Sequence, residues 1–179
     1  LVYALVWKAG VAATMAHDHA IRAGKVHGTV HWEEDAGGQR SAKISVETAS
    51  LLPDEDEIRR IAGLDGTLKE GQRESILKSM LHEDQLWADK FPAITFETTD
   101  VVPSGDAWKA SGTFGLRGVT QQISVPLTVQ PEDDGLRVKG TFTVTQSDFG
   151  YAPFSAAFGA LKVKDGVDLV LDIRLSPTE

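Results

Sequence analysis

Apolar and polar residues alternate one by one over most of this chain, the signature of strands with one buried and one wet face. "LVYALV" opens it as a first strand, and in "KVHGTVHW" Val26, Gly28, Val30 and Trp32 share a face opposite His27 and His31. "AKISVETA" alternates Ile44 and Val46 with Lys43, Ser45 and Glu47. "AITFETTDVV" sets Ile94 and Phe96 against Thr95 and Glu97, and "AWKASGTFGL" aligns Trp108, Ala110, Gly112, Phe114 and Leu116. "QISVPLTV", "GLRVKGTFTVT" and "GVDLVLDIRL" continue the pattern, the second aligning Gly140 with Phe142 and the third aligning Leu169, Leu171 and Ile173. About eight strands follow from this count.

Short turn signals ("EDAGG", "VPSGDA", "PEDDG", "KDG") separate most of these runs. Links that short favour antiparallel neighbours, so the predicted fold is all-β, an eight-stranded antiparallel barrel. The exception is a segment of about residues 53–90 between strands three and four. There Ile76, Leu77, Met80 and Leu81 form a helical stripe suited to packing on a barrel wall or end. The run "DEDE" from Asp54 to Glu57 reads as a solvated helix start, its carboxylates favoured by the helix dipole. No repeat, linker or low-complexity tract divides residues 1–179, which read as a single domain.

An eight-stranded barrel is just wide enough to be filled by side chains or to hold one small ligand. Gly28, Gly112 and Gly140 sit in mid-strand on apolar faces, where a missing side chain either lets a strand turn a corner or leaves a hollow. Trp32, Trp108, Phe114 and Phe142 would wall such a hollow, an environment for an apolar chain. "DFGYAPFSAAFGALKV" puts Phe149, Phe154 and Phe158 in a Gly- and Ala-rich stretch, either a plug of one barrel end or a lid at a tunnel mouth.

Composition removes several classes. A net charge of −8 argues against a nucleic-acid partner, since phosphate binding needs a basic face, and no run is long and apolar enough for a transmembrane helix. With no cysteine, thiol catalysis and thiolate metal sites are excluded. No G-x-S-x-G elbow is present, "HEDQL" at His82 lacks the second histidine of a zinc-protease motif, and "DFG" at Asp148 has no kinase loops around it. The chain begins at Leu1, so the expected compartment is periplasmic or secreted if a leader was removed and cytoplasmic otherwise.

Four blocks, "KAGVAATMAHDHAI", "LHEDQLWADKFPAITFETT", "ASGTFGLRGVTQQISVPLTV" and "DFGYAPFSAAFGALKVKDGVDLVLDI", resemble in that order those of the YceI-like family. Arg117 stands where that family usually has His, Gln121 where it has Lys, and "HDH" where many members have His-Ser, marking a variant branch. The resemblance implies a lipocalin-like barrel with a tunnel for a polyisoprenoid or other long-chain amphiphile. Val26, Val30, Phe96 and Leu171, on the apolar faces of their strands, join the candidate wall named above, and the resemblance implies a binding protein, not an enzyme. No cofactor is expected, a copurifying lipid aside; a homodimer is left open.

The histidines are the remaining chemistry. His27 and His31 should face away from the apolar side, while His17 and His19 would share a face if that stretch is extended. A zinc site needs three or four converging ligands, so no metal is expected. One of His17, Asp18 or His19 could instead hydrogen-bond a ligand headgroup at a barrel end. Two alternatives stay open: a metal-assisted enzyme using His17 and His19, and a barrel filled by its own side chains that serves as a stress or interaction protein.

Overall fold

The alternating runs pair edge to edge into one antiparallel sheet that curls into a barrel. The computed structural model describes residues 1–33 and 37–176, with every side chain but that of Thr99. The first three residues of the "EDAGG" turn, Glu34 to Ala36, therefore lie outside the described residues.

Eleven strands are present among the described residues. They are β1 (Val2–Ala9), β2 (His19–Ala23), β3 (Val26–Trp32), β4 (Arg40–Glu47), β5 (Leu51–Pro53) and β6 (Ala93–Ser104). Then follow β7 (Ala107–Leu116), β8 (Val119–Glu132), β9 (Gly135–Thr145), β10 (Ser155–Ala156) and β11 (Leu161–Leu175). The spatial order is β3-β4-β6-β7-β8-β9-β11-β1-β2-β5, with β10 paired to β11.

The expected count of eight is thus corrected to eleven, and the difference lies in broken strands. β2 runs on through Gly24 and Lys25 into β3, and β4 through a single 3-10 turn into β5. The two broken strands form one kinked hairpin, held across its break by Gly24 N–H to the Ser50 carbonyl and Glu47 N–H to the Lys25 carbonyl, each 3.1 Å. β10 is only two residues long.

Pairing registers keep the apolar faces together around the wall. Phe96 lies opposite Phe114, Leu127 opposite Gly140, and Leu171 opposite Gly140 from the other side. A bulge between Thr98 and Asp100 changes the parity of β6, so that Val101 turns inward and Val102 outward. The Thr98 hydroxyl holds the bulge by donating to the Ser111 carbonyl and accepting from Asp100 N–H.

The mid-strand glycines answer the sequence question in favour of corners. A Cβ on Gly140 would lie 2.8 Å from both the Pro126 carbonyl oxygen and Leu127 Cδ2. One on Gly112 would meet the Glu97 carbonyl and Thr98. These glycines let neighbouring backbones approach closely where the sheet coils, and none of Gly28, Gly112 and Gly140 lines the hollow.

Two helices fill the predicted insertion: α1 (Asp56–Ile61) and α2 (Glu70–Leu81). α1 packs on the outside of the wall, Ile58 joining Tyr3 and Ala20 in a small buried cluster. α2 reaches the hollow with Ile76 and Met80, two members of the predicted stripe. The main buried cluster gathers Phe114, Leu116, Val144, Phe149, Tyr151 and Val167 at the same end of the barrel.

Candidate functional site

Beyond that cluster the barrel is hollow. A cavity of about 480 Å³ runs between its walls, within the range of small-ligand sites. Val30, Val129, Val138, Ile173 and Leu175 all line it and all remain partly exposed. Residues that point inward and still meet solvent-sized space are what an unfilled interior produces, so the side-chain-filled alternative does not hold.

Aliphatic and aromatic side chains dominate the lining, and no Asp, Glu, Lys or Arg among the described residues contributes to it. The polar contributors are few: Tyr3, His19 and Tyr151, with serine, threonine and glutamine side chains such as Ser75 and Ser79 of α2. Burial pushes the Tyr151 phenol well above its usual range, so its hydroxyl stays protonated.

Of the wall residues expected from sequence, Val30, Trp32, Phe96, Phe114, Phe142, Phe154 and Leu171 line the cavity. Trp108 does not, but it packs edge-on against Trp32 with ring centroids 4.8 Å apart. The Arg40 guanidinium lies over both rings, 4.6 Å from Trp108 and 5.1 Å from Trp32. Val26 is exposed and does not line the cavity, although it pairs with Val46, which does; it sits at the end of β3 beside the hairpin break. Phe149 is buried behind Phe114, with their centroids 5.6 Å apart, and supports the wall without forming it. Phe158 projects fully into solvent and closes nothing.

The histidine cluster disperses. His17 is exposed ahead of β2, His27 is exposed, and His31 is exposed with Nε2 3.1 Å from Glu33. Asp18 turns to Lys8, accepting its backbone N–H at 2.8 Å. Only His19 lines the cavity. Among the described residues no three His, Asp or Glu side chains converge as metal ligands would.

His19 is held by residues that sequence reasoning placed elsewhere. Its Nδ1 lies 2.7 Å from Oδ2 of Asp54, a fully buried carboxylate in left-handed backbone (φ 54) just after β5. Oδ1 of Asp54 accepts from Ala20 N–H at 3.1 Å and from Arg59 Nη1 at 2.8 Å. Arg59, 3% exposed, also donates to the carbonyls of Asp18, Asp65 and Gly66. Burial would raise the Asp54 pKa, but the bonds from His19, Ala20 and Arg59 outweigh it and hold the carboxyl below its usual range.

The expected solvated "DEDE" run is therefore corrected at its first member. Asp54 is a buried anchor, Glu55 pairs bidentately with Arg22 at 2.6 and 3.0 Å, and Asp56 and Glu57 alone occupy the first turn of α1. A carboxylate facing Nδ1 fixes the imidazole's orientation and leaves Nε2 for another partner.

The same end is tied shut by Arg117, itself in left-handed backbone (φ 53). It donates to the Glu83 carbonyl at 2.7 Å and the Gly150 carbonyl at 3.0 Å, with its guanidinium over the Tyr151 ring. Gln121 reaches the Asp148 carbonyl at 2.9 Å. Arg117 and Gln121 thus both bind the segment from Asp148 to Gly150.

A curled antiparallel sheet around an apolar, uncharged hollow defines a barrel of the lipocalin-like class. The chain belongs to the family of the YceI-like domain, whose model matches residues 7–175. Its fold is similar to that of BcnA from Burkholderia cenocepacia, with a TM-score of 0.68 at 16% identity over 96% of this chain and 94% of that one. It is also similar to the YCEI protein of Campylobacter jejuni, with a TM-score of 0.66 at 14% identity over 89% of this chain and 85% of that one. No curated protein sequence matches the chain.

Proposed function

We propose that this protein binds a long-chain amphiphile, polyisoprenoid or fatty-acid-like, with its apolar chain in the barrel and no chemistry performed on it. The observation that carries this is the cavity of about 480 Å³ lined without a charged side chain. Such a wall rewards carbon and penalises bare charge, since a buried ion without a partner is costly. Each buried methylene contributes about 0.8 kcal/mol, so ten carbons supply on the order of 8 kcal/mol before ordering costs. Tail length then governs affinity, and carriage or storage is the function such a site serves.

In this reading the polar head meets His19, the one of His17, Asp18 and His19 that lines the cavity. With Nδ1 turned to Asp54, Nε2 is the group free to meet a polar head at the end of the cavity. The Tyr151 hydroxyl, also on the cavity lining, would add a donor.

Gently purified protein is examined by native mass spectrometry, extracted with organic solvent, and then titrated with fatty acids of increasing chain length. One copurifying amphiphile per chain, or affinity that climbs with each added methylene, supports carriage. Affinity that ignores chain length sinks it.

A further inference from the structure

The three most exposed large apolar side chains of the described residues lie on two adjacent loops. Val11 is 95% exposed, Met15 80% and Phe158 completely, whereas no other large apolar side chain exceeds 46%. The two loops, residues 10–16 and 154–160, are joined where Ala12 N–H donates to the Ala160 carbonyl at 3.0 Å. Both extend from the same end of the β1–β11 ladder, where Ala9 and Ser155 each pair with Lys162. Ala157, Phe158 and Gly159 are successive left-handed residues (φ 49, 54 and 86), a tight turn that projects the phenyl ring into water at a steric cost.

Two further features adjoin these tips. Phe154 is 42% exposed and also lines the cavity, so the apolar tip is continuous with the cavity wall. Lys162 and Lys164 stand on the outer face of β11, exposed and without an ion-pair partner among the described residues, in a chain of net charge −8. The acids nearby are engaged: Asp18 with Lys8, and Asp165 with the hydroxyl and amide of Ser147.

We propose that these two loops dock the protein on a bilayer that carries anionic headgroups. Val11, Met15 and Phe158 enter the interfacial region while Lys162 and Lys164 meet the lipid phosphates. Separate apolar side chains on protruding turns, flanked by free cations, match an interface of headgroups and acyl chains. A second protein surface would instead demand a broad, shape-complementary face. Docking would set Phe154, at the packed end of the barrel, beside the lipid. The docking does not depend on the amphiphile reading.

The test is co-sedimentation of ligand-stripped protein with vesicles of phosphatidylcholine, with and without phosphatidylglycerol. The parent should pellet with the anionic vesicles and release at high salt. The variant Val11→Ser, Met15→Ser, Phe158→Asn should partition on the order of tenfold less, and Lys162→Glu with Lys164→Glu should lose the anionic preference. Uptake of a fluorescent long-chain fatty acid from vesicle-free solution should be unchanged in the apolar variant, which also certifies its fold.

A parent that stays in solution with both vesicle types overturns docking. So does an apolar variant that binds vesicles as the parent does, or one whose only change is dissociation of a dimer. Docking without any fatty-acid uptake by the parent would leave the tip standing and remove the amphiphile reading.

Discussion

His19 and Asp54 lie 35 positions apart, and the bond between them turns a surface-type residue into part of a cavity wall. Asp54 also carries Arg59, whose guanidinium donates further to the backbone carbonyls of Asp18, ahead of β2, and of Asp65 and Gly66 in the insertion. Removing the carboxylate would strand a buried guanidinium, a loss of about 3–5 kcal/mol. We expect Asp54→Ala to lower the unfolding free energy by that amount, read as a lower urea midpoint at an unchanged slope, and to weaken headgroup discrimination with it. The same geometry sets an acid limit. Asp54 and Asp172 both have carboxyl pKa values below normal in the folded chain, Asp172 at about 2 because Arg137 bonds it at 2.8 and 2.9 Å. An unfolded carboxylate takes up its proton near pH 3.9, so the unfolded state gains protons first as pH falls. Their stabilisation is complete above about pH 5 and drains away toward pH 2. Urea midpoints measured across that window should fall with acid, and less steeply in Arg137→Ala, which moves Asp172 back toward the ordinary carboxylate range with only Lys139 beside it.

At the scale of elements, the long strands were legible because a half-buried strand writes its two faces directly into the sequence. β7 and β11 sit where alternation puts them; Leu171 of β11 lines the cavity as expected, and in β7 Ala110, Phe114 and Leu116 do so while Trp108 and Gly112 do not. β2, β5 and β10 were not legible. Five, three and two residues carry too little alternation, and their pairing depends on partners far away in the chain. The candidate site divides in the same way. Aromatic walls such as Trp32 and Phe142 follow from strand parity, but the Asp54–His19–Arg59 network is long-range, and an acidic run offers no local sign that its first member is buried. The glycines were read ambiguously, since a corner and a hollow both call for a missing Cβ. The close approach of Glu97 and Thr98 to Gly112 now decides between them. Gly112→Ala should cost about 1–3 kcal/mol by crowding the β6–β7 ladder. Thermal unfolding would show this, while a variant as stable as the parent would contradict it.

For the whole molecule, the consequential choice is to leave the middle unfilled while packing one end. The cluster around Phe149 and Tyr151 and the Arg117 tie hold the barrel at that end, so the remainder can stay open without collapsing. Filling it should therefore cost function before it costs structure. Val129 lines the cavity and is partly exposed, and Val129→Trp should displace about two methylenes of a bound chain, roughly a tenfold loss of affinity. Its unfolding midpoint should stay close to that of the parent, and a midpoint that collapses instead would mean the space is not free. A hollow also changes how the molecule answers compression. Unfolding abolishes internal void, so pressure favours the unfolded chain in proportion to the void removed. An occupant that fills the barrel takes that volume away in advance. The empty protein should yield at a lower pressure than the loaded one, by more than binding energy alone accounts for, and the volume change of unfolding becomes a direct gauge of how full the barrel is.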